Sequence, residues 1–298
     1  MTDSHEQNFR EVVDPRRVST RFLPDTAIEL IDGFRIRQSP RQALFDFDGT
    51  LSLIREGWPD IMIPMFVEHL EVLGTGEARE SLQEICTRFV MELTGKQTVY
   101  QMIRLSEEIR KRGGTPKDPS EYKAEYHERL LARIAPVRHA LKTGETDAEQ
   151  MLVPGSQRLL AALKERGIEL YLASGTDEDY VKEEVELLGL DRFFGERIYG
   201  AREDYRSFSK AQVIQRILNT CGMDDSALVG FGDGYVEIQN VREAGGIAVA
   251  VASDEAQKSG RPDAWKRERL IAAGANIVVP DFGEADQLLA FLFVGREE

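Results

Sequence analysis

Short apolar runs alternate with helix-period segments along most of this chain, and that alternation limits the folds open to it. The runs "ALFDF" (43–47), "IELYLA" (168–173), "ALVGF" (227–231), "GIAVAVA" (246–252) and "NIVVP" (276–280) have the length and composition of buried strands. Between them, Leu159, Leu160 and Leu163 fall on one helix face, as do Val213, Ile214, Ile217 and Leu218. Leu288, Leu289 and Leu292 do the same near the end. Strands joined through helices form parallel βαβ units, so the spacing predicts an α/β fold with a doubly wound parallel sheet. Ligands of such sheets bind beyond the carboxyl ends of the strands.

The alternation stops between residues 53 and 150. The pattern there is helical only, over 60–73, 77–93, 97–112 and 120–141, with breaks at "GTG", "GGTPKDPS" and "KTGETD". We read residues 54–149 as a helical cap inserted into a core of 36–53 and 150–298, placed to close over the strand ends. Residues 1–35 carry no strong periodicity and read as an arm packed on the core.

Composition narrows the partners. A net charge of −14 argues against nucleic acid and anionic membranes. With no signal-peptide pattern and no apolar run of membrane length, a cytoplasmic monomer or homodimer is expected. Cys86 and Cys221 have no zinc or redox spacing and read as two buried thiols. His5, His69, His127 and His139 lie away from the predicted strand ends and read as structural or surface residues.

Four polar groups gather where the strands should end: Asp46-Phe47-Asp48-Gly49-Thr50, Ser174-Gly175-Thr176, Lys210 in "FSKAQVI", and "GFGDGYVE" with Asp233 and Glu237. A buried carboxylate needs a partner or a proton, and these parts supply partners for one chemistry. A carboxylate such as Asp46 can attack phosphorus and split one displacement into two easier ones. Magnesium takes a few carboxylates plus water and phosphate oxygens, which Asp46 and Asp233, helped by Glu237, can provide. Ser174 and the amides of Gly175 and Thr176, opening a helix, would bind an anion, and Lys210 adds a point charge. Asp48 shares the direction of Asp46 by strand alternation and is placed to move a proton. A first-turn acid that complements the helix dipole is the lesser alternative for Glu237.

This arrangement resembles the haloacid dehalogenase superfamily of phosphohydrolases. Its first motif, Asp-x-Asp-Gly-Thr, matches 46–50, its second falls on Ser174 and its third on Lys210. Its fourth falls on Gly232, Asp233 and Glu237, with Glu237 in place of the commoner Asp. The resemblance implies a Rossmann-like core, a cap between motifs one and two as in phosphoglycolate-phosphatase-like and β-phosphoglucomutase-like members, and a magnesium cofactor. It implies Asp46 as nucleophile, Asp48 as acid and base, and metal bound by Asp46, Asp233 and the Asp48 backbone carbonyl, with Glu237 contributing indirectly. The expected substrate is a small phosphorylated metabolite, and the expected activity is hydrolysis of its phosphomonoester. A phosphosugar mutase, or a regulatory protein on the same fold, remains open beside it. Dehalogenation and phosphonate cleavage fit less well, the latter because a small residue would stand in place of Asp48.

In the cap, "TGKQTVYQMIRL" (94–105) offers Lys96, Gln97, Tyr100, Gln101 and Arg104 as substrate contacts, Lys96 and Tyr100 sharing one helix face. Arg55 and Glu56 read as a solvated linker pair, and "DAWKRERL" as the exposed face of a helix. The three acids of "SGTDEDY" are out of place beside a phosphate site.

Overall fold

The computed structural model describes residues 8–202, 204–221 and 227–293, without the side chains of Thr220 and Cys221. The readings of His5 and of the Cys221 thiol therefore lie outside the described groups. The chain begins with β1 (Thr20–Phe22), β2 (Glu29–Ile31) and β3 (Gln42–Phe45). Four helices follow: α1 (Pro59–Glu71), α2 (Arg79–Glu92), α3 (Val99–Lys111) and α4 (Pro119–Thr143). Then come α5 (Ser156–Glu165), β4 (Glu169–Asp177), α6 (Glu178–Leu187), α7 (Asp191–Phe194), β5 (Ile198–Ala201) and α8 (Lys210–Cys221). The chain closes with β6 (Leu228–Gly232), α9 (Tyr235–Glu243), β7 (Ile247–Val251), α10 (Ala264–Ala272), β8 (Ile277–Val279) and α11 (Ala285–Leu292).

One sheet in the order β1-β2-β8-β7-β6-β3-β4-β5 organises these elements. Strands β3 to β8 run parallel, as the alternation predicts. The N-terminal segment departs from expectation. Instead of a plain arm it adds β1 and β2 as antiparallel edge strands, with β2 paired to β8. Its register is fixed by Glu29, 2% exposed, whose carboxylate is gripped by Arg267 from α10.

Strand alternation divides the strand side chains between two buried faces. Phe45, Leu172, Val229, Phe231 and Val249 pack against the leucines of α5 and α11. The rings of Phe45 and Phe231 stack at 4.5 Å, with Phe194 and Phe282 at their edges. On the opposite face Ala173, Ala248, Ala250 and Ala252 let α8, α9 and α10 approach closely. The chain leaves β3 to one side for β4 and β5, and returns on the other side to β6. The crevice between β3 and β6 is therefore the topological switch point, where ligands of doubly wound sheets bind.

Helices α1 to α4 occupy the predicted stretch between β3 and β4. Asp118 caps α4 through a full capping box with Glu121, and Gly144 ends that helix in a left-handed turn. Phe66 of α1 stacks on Phe89 of α2, and the Cys86 thiol is buried beneath. Among the described residues no helix is long and apolar enough to cross a membrane.

Candidate active site

Asp46 follows β3 directly, and its amide donates to the Phe231 carbonyl at 2.9 Å, which carries the strand pairing one residue past the sheet. The chain then turns at Gly49, whose φ of +72° is left-handed. A Cβ at Gly49 would lie 2.2 Å from Asp233 Oδ2, so both backbone and space require glycine. The Asp233 amide donates to Thr50 Oγ1 at 3.0 Å, which ties the first turn to the loop after β6. Asp46 and Asp233 thus stand at the ends of neighbouring strands and face one cavity, which Asp48, Ser174, Gly175, Thr176 and Lys210 also line.

Asp46 is 5% exposed. Its Oδ1 accepts from the Phe47 amide at 2.8 Å and lies 3.0 Å from Lys210 Nζ. Burial pushes its carboxyl up to about 6; Lys210 works against the shift, and the Asp233 charge adds to it. Lys210 opens α8 and is buried between Asp46 and Glu237. The carboxylate of Glu237, in the first turn of α9, meets this lysine and does not line the cavity. Its extra methylene relative to Asp gives it the reach for that contact.

Asp48 is hydrogen-bonded at one oxygen only among the described residues. Thr176 Oγ1 donates to Oδ2 at 2.8 Å, and Arg55 Nε lies 3.7 Å from Oδ1. The expectation that Gly175 and Thr176 open a helix needs correction. After a register shift between Ala173 and Asp177, β4 runs on to Asp177, and α6 begins only at Glu178. The Thr176 amide turns back to Ser174 Oγ at 3.1 Å. The acids that follow face away from the cavity: Asp177 pairs with Lys123, and Glu178 with Lys182.

A divalent cation fits this donor set. Magnesium needs only one or two carboxylates, its other positions going to water, carbonyl and phosphate oxygens. Asp46 and Asp233 repel one another across the cavity, and both bonds that Asp46 makes with the side chain and amide described above fall on Oδ1. Among the described residues no group of three or more His, Cys, Asp or Glu side chains converges, so the side-chain donors open to one cation are Asp46 and Asp233.

The cap reaches the cavity through the loop before α3. Gly95, at φ +97°, packs against the Gly234 backbone so closely that a Cβ would come within 3.0 Å of it. That contact sets Lys96 and Gln101 on the cavity wall. Lys96 Nζ lies 4.9 Å from the centre of the Tyr100 ring and donates to Asn8 Oδ1 at 2.8 Å. Gln97, Tyr100 and Arg104 do not line the cavity. Gln97 Nε2 donates to the carbonyls of Tyr205 and Phe208, the Tyr100 ring packs edge-on to Tyr205, and Arg104 pairs with Glu107 and Glu108.

Two expected surface groups belong to the site instead. Arg55 is 6% exposed, lines the cavity, and makes a two-pronged ion pair with Glu184 at 2.9 and 3.0 Å; Glu56 is exposed as expected. Lys266, inside "DAWKRERL", sends its ammonium inward to Asp233 Oδ2 at 2.9 Å, Ser253 Oγ at 3.0 Å and Glu255 Oε1 at 2.5 Å. Burial opposes the charge of Lys266, yet Asp233 and Glu255 outweigh it and raise its pKa. His127 is buried as a structural residue, but α4 carries it to the end of β4, 3.7 Å from Asp177. Trp58, Met62, Thr94, Thr98 and Tyr126 complete the wall. No linear pattern marks these residues, because they reach the site from separate segments: the β3–α1 turn and α1, the loop before α3, α4 and α10.

Comparison with known proteins agrees with this geometry. A family model for haloacid dehalogenase-like hydrolases matches residues 41–245. No curated protein matches the chain. Among solved structures, a haloacid dehalogenase-like protein of unknown function from Agrobacterium tumefaciens superposes with a TM-score of 0.53. It shares 18% identity, over 84% of this chain and 98% of that one. A predicted phosphoglycolate phosphatase from Haemophilus somnus gives 0.53, at 18% identity over 85% and 99%. A predicted β-phosphoglucomutase from Thermotoga maritima gives 0.50, at 18% over 84% and 98%. At this identity the superpositions show a shared fold. With the family model covering more than half its length, the chain belongs to the haloacid dehalogenase-like hydrolases.

Proposed function

We propose that the protein is a magnesium-dependent phosphatase that hydrolyses a small phosphomonoester through a phosphorylated Asp46. The observation that carries this reading is the division of labour between two carboxylates in one cavity. Asp46 is buried against Lys210, whereas Asp48 is held by the Thr176 hydroxyl and is partly exposed. Magnesium, held by Asp46, Asp233 and the Asp48 backbone carbonyl, would offset the charge that accumulates when a carboxylate meets a phosphate.

In the first step Asp46 attacks phosphorus, the bond from phosphorus to the ester oxygen breaks, and Asp48 gives that oxygen a proton. The alcohol leaves. In the second, Asp48 takes a proton from water, the water oxygen attacks phosphorus, and the bond to Asp46 breaks. Inorganic phosphate is released and both carboxylates return to their starting states. Lys210 and Ser174 bind the phosphoryl oxygens throughout, and the cap wall excludes bulk water.

The test is a screen of the purified protein with magnesium against a panel of phosphorylated metabolites, reading inorganic phosphate. Wild-type protein should release phosphate from at least one compact phosphomonoester, and Asp46→Asn should release none. Full activity in Asp46→Asn would overturn the mechanism. An isomerised sugar phosphate in place of free phosphate would turn the reading to a mutase.

A further inference from the structure

Arg55 is tied to the acid/base carboxylate by more than proximity. Its guanidinium spends Nε and one terminal nitrogen on Glu184 of α6. The other terminal nitrogen points at Thr176 Oγ1, 3.5 Å away, and that hydroxyl in turn donates to Asp48 Oδ2 at 2.8 Å. A guanidinium only donates hydrogen bonds. The Thr176 hydroxyl must therefore accept on the Arg55 side and aim its proton at Asp48. Oδ2 is thereby fixed as an acceptor. Asp48 Oδ1 is buried and makes no hydrogen bond among the described residues, with Arg55 Nε 3.7 Å off, beyond bonding distance.

We propose that Arg55 is a positioning residue for the proton transfer: held by Glu184, it orients Thr176, and the Thr176 hydroxyl in turn sets the plane of the Asp48 carboxylate that exchanges the proton. The proposal rests on the phosphatase reading and adds to it. Arg55 belongs to the turn that leads from β3 into α1, whereas Glu184 and Thr176 belong to the core. The Arg55–Glu184 pair therefore also fixes the entry to the helical insert in the geometry in which Asp48 is aligned. Burial works against the charge on Arg55, but Asp48 and Glu184 outweigh it and raise its pKa, so the cation is permanent.

The experiment uses p-nitrophenyl phosphate and magnesium. Removing Arg55 alone leaves Glu184 buried without a partner, so the informative variant is Arg55→Met/Glu184→Leu, which replaces the pair with apolar groups of similar size. p-Nitrophenolate leaves without a proton, so phosphorylation of Asp46 should proceed. Hydrolysis still needs Asp48 to take a proton from water. The double variant should melt within a few degrees of wild type and show a burst of about one p-nitrophenol per site, with KM falling along with kcat because breakdown of the phosphorylated Asp46 has become rate-limiting. The steady rate after the burst should be roughly 10- to 100-fold slower than wild type, a range set by the worth of general acid–base catalysis. Arg55→Lys, which keeps the charge but not the fork, should recover part of that loss. A stable double variant with wild-type turnover and no burst would make Arg55 purely structural and overturn the proposal. So would a raised KM at unchanged kcat, which would make it a substrate contact. Wild-type protein silent on this probe and on the whole panel would instead overturn the phosphatase reading, and the role of Arg55 with it.

Discussion

Asp46→Asn, the substitution expected to abolish turnover, should make the metal-free protein more stable. Burial pushes the Asp46 carboxyl from 3.8 to about 6. Across that window the folded state keeps a proton that the unfolded chain has already lost. Stability therefore falls as pH rises from about 4 to about 6, and levels off above. A shift of about two units, at ~1.4 kcal/mol each, puts the cost of ionising Asp46 in the fold at ~3 kcal/mol. Asparagine cannot ionise and keeps nearly the same shape. In EDTA, urea unfolding should show the two proteins nearly equal near pH 4, and Asp46→Asn more stable by about 3 kcal/mol at pH 7.5. Adding magnesium should close the gap from the other side, because a cation that binds only the folded wild type stabilises it by mass action. A variant that is no more stable than wild type at pH 7.5 would refute the reasoning. It would mean that Lys210 already offsets the burial of Asp46 without help from a metal.

Two further substitutions probe the neighbouring carboxylate. Gly49→Ala forces a Cβ against Asp233 Oδ2 at a left-handed backbone angle. It should lower stability by about 1–3 kcal/mol in urea unfolding, and weaken magnesium binding measured by calorimetry. Lys266→Met leaves Asp233 and Glu255 facing each other with no cation between them. It should cost about 3–5 kcal/mol of metal-free stability by the same assay, with Lys266→Met/Glu255→Gln recovering a large part.

The sequence carries the sheet and its carboxyl-end acids because those signals are local. Asp46 can be placed from "ALFDF" alone, and Lys210 from its order after Ser174. What it hides depends on tertiary pairing. The segment "IYGA" (198–201) is too short and too broken by glycine to stand out as a strand, yet it completes the sheet beside β4. The three residues of β1 and the three of β2 show no alternation of their own and become strands by pairing to each other and to β8. Gln97 and Tyr100 share the right segment with Lys96, but Gln97 in the loop and Tyr100 in the first turn of α3 turn toward 205–208 and away from the cavity. Lys266 looks like one more surface cation, since nothing near it in sequence reveals that Asp233 lies within 2.9 Å.

Arg55 and Lys266 also complete a pattern that begins with Lys210. Each of the three aspartates shares a cation with a glutamate outside the cavity wall. Asp46 shares Lys210 with Glu237, Asp48 shares Arg55 with Glu184, and Asp233 shares Lys266 with Glu255. A lone buried cation beside each aspartate would cancel its charge and blunt it as a nucleophile, base or ligand. With a glutamate behind it, the cation is anchored, and each trio keeps one net negative charge. The aspartate is then oriented by its cation without being neutralised, and the excess negative charge of three such trios around one crevice is what a divalent cation would relieve. The phosphate dianion of a substrate would be repelled from that crevice by the same charge. Binding of metal and of substrate should accordingly be cooperative.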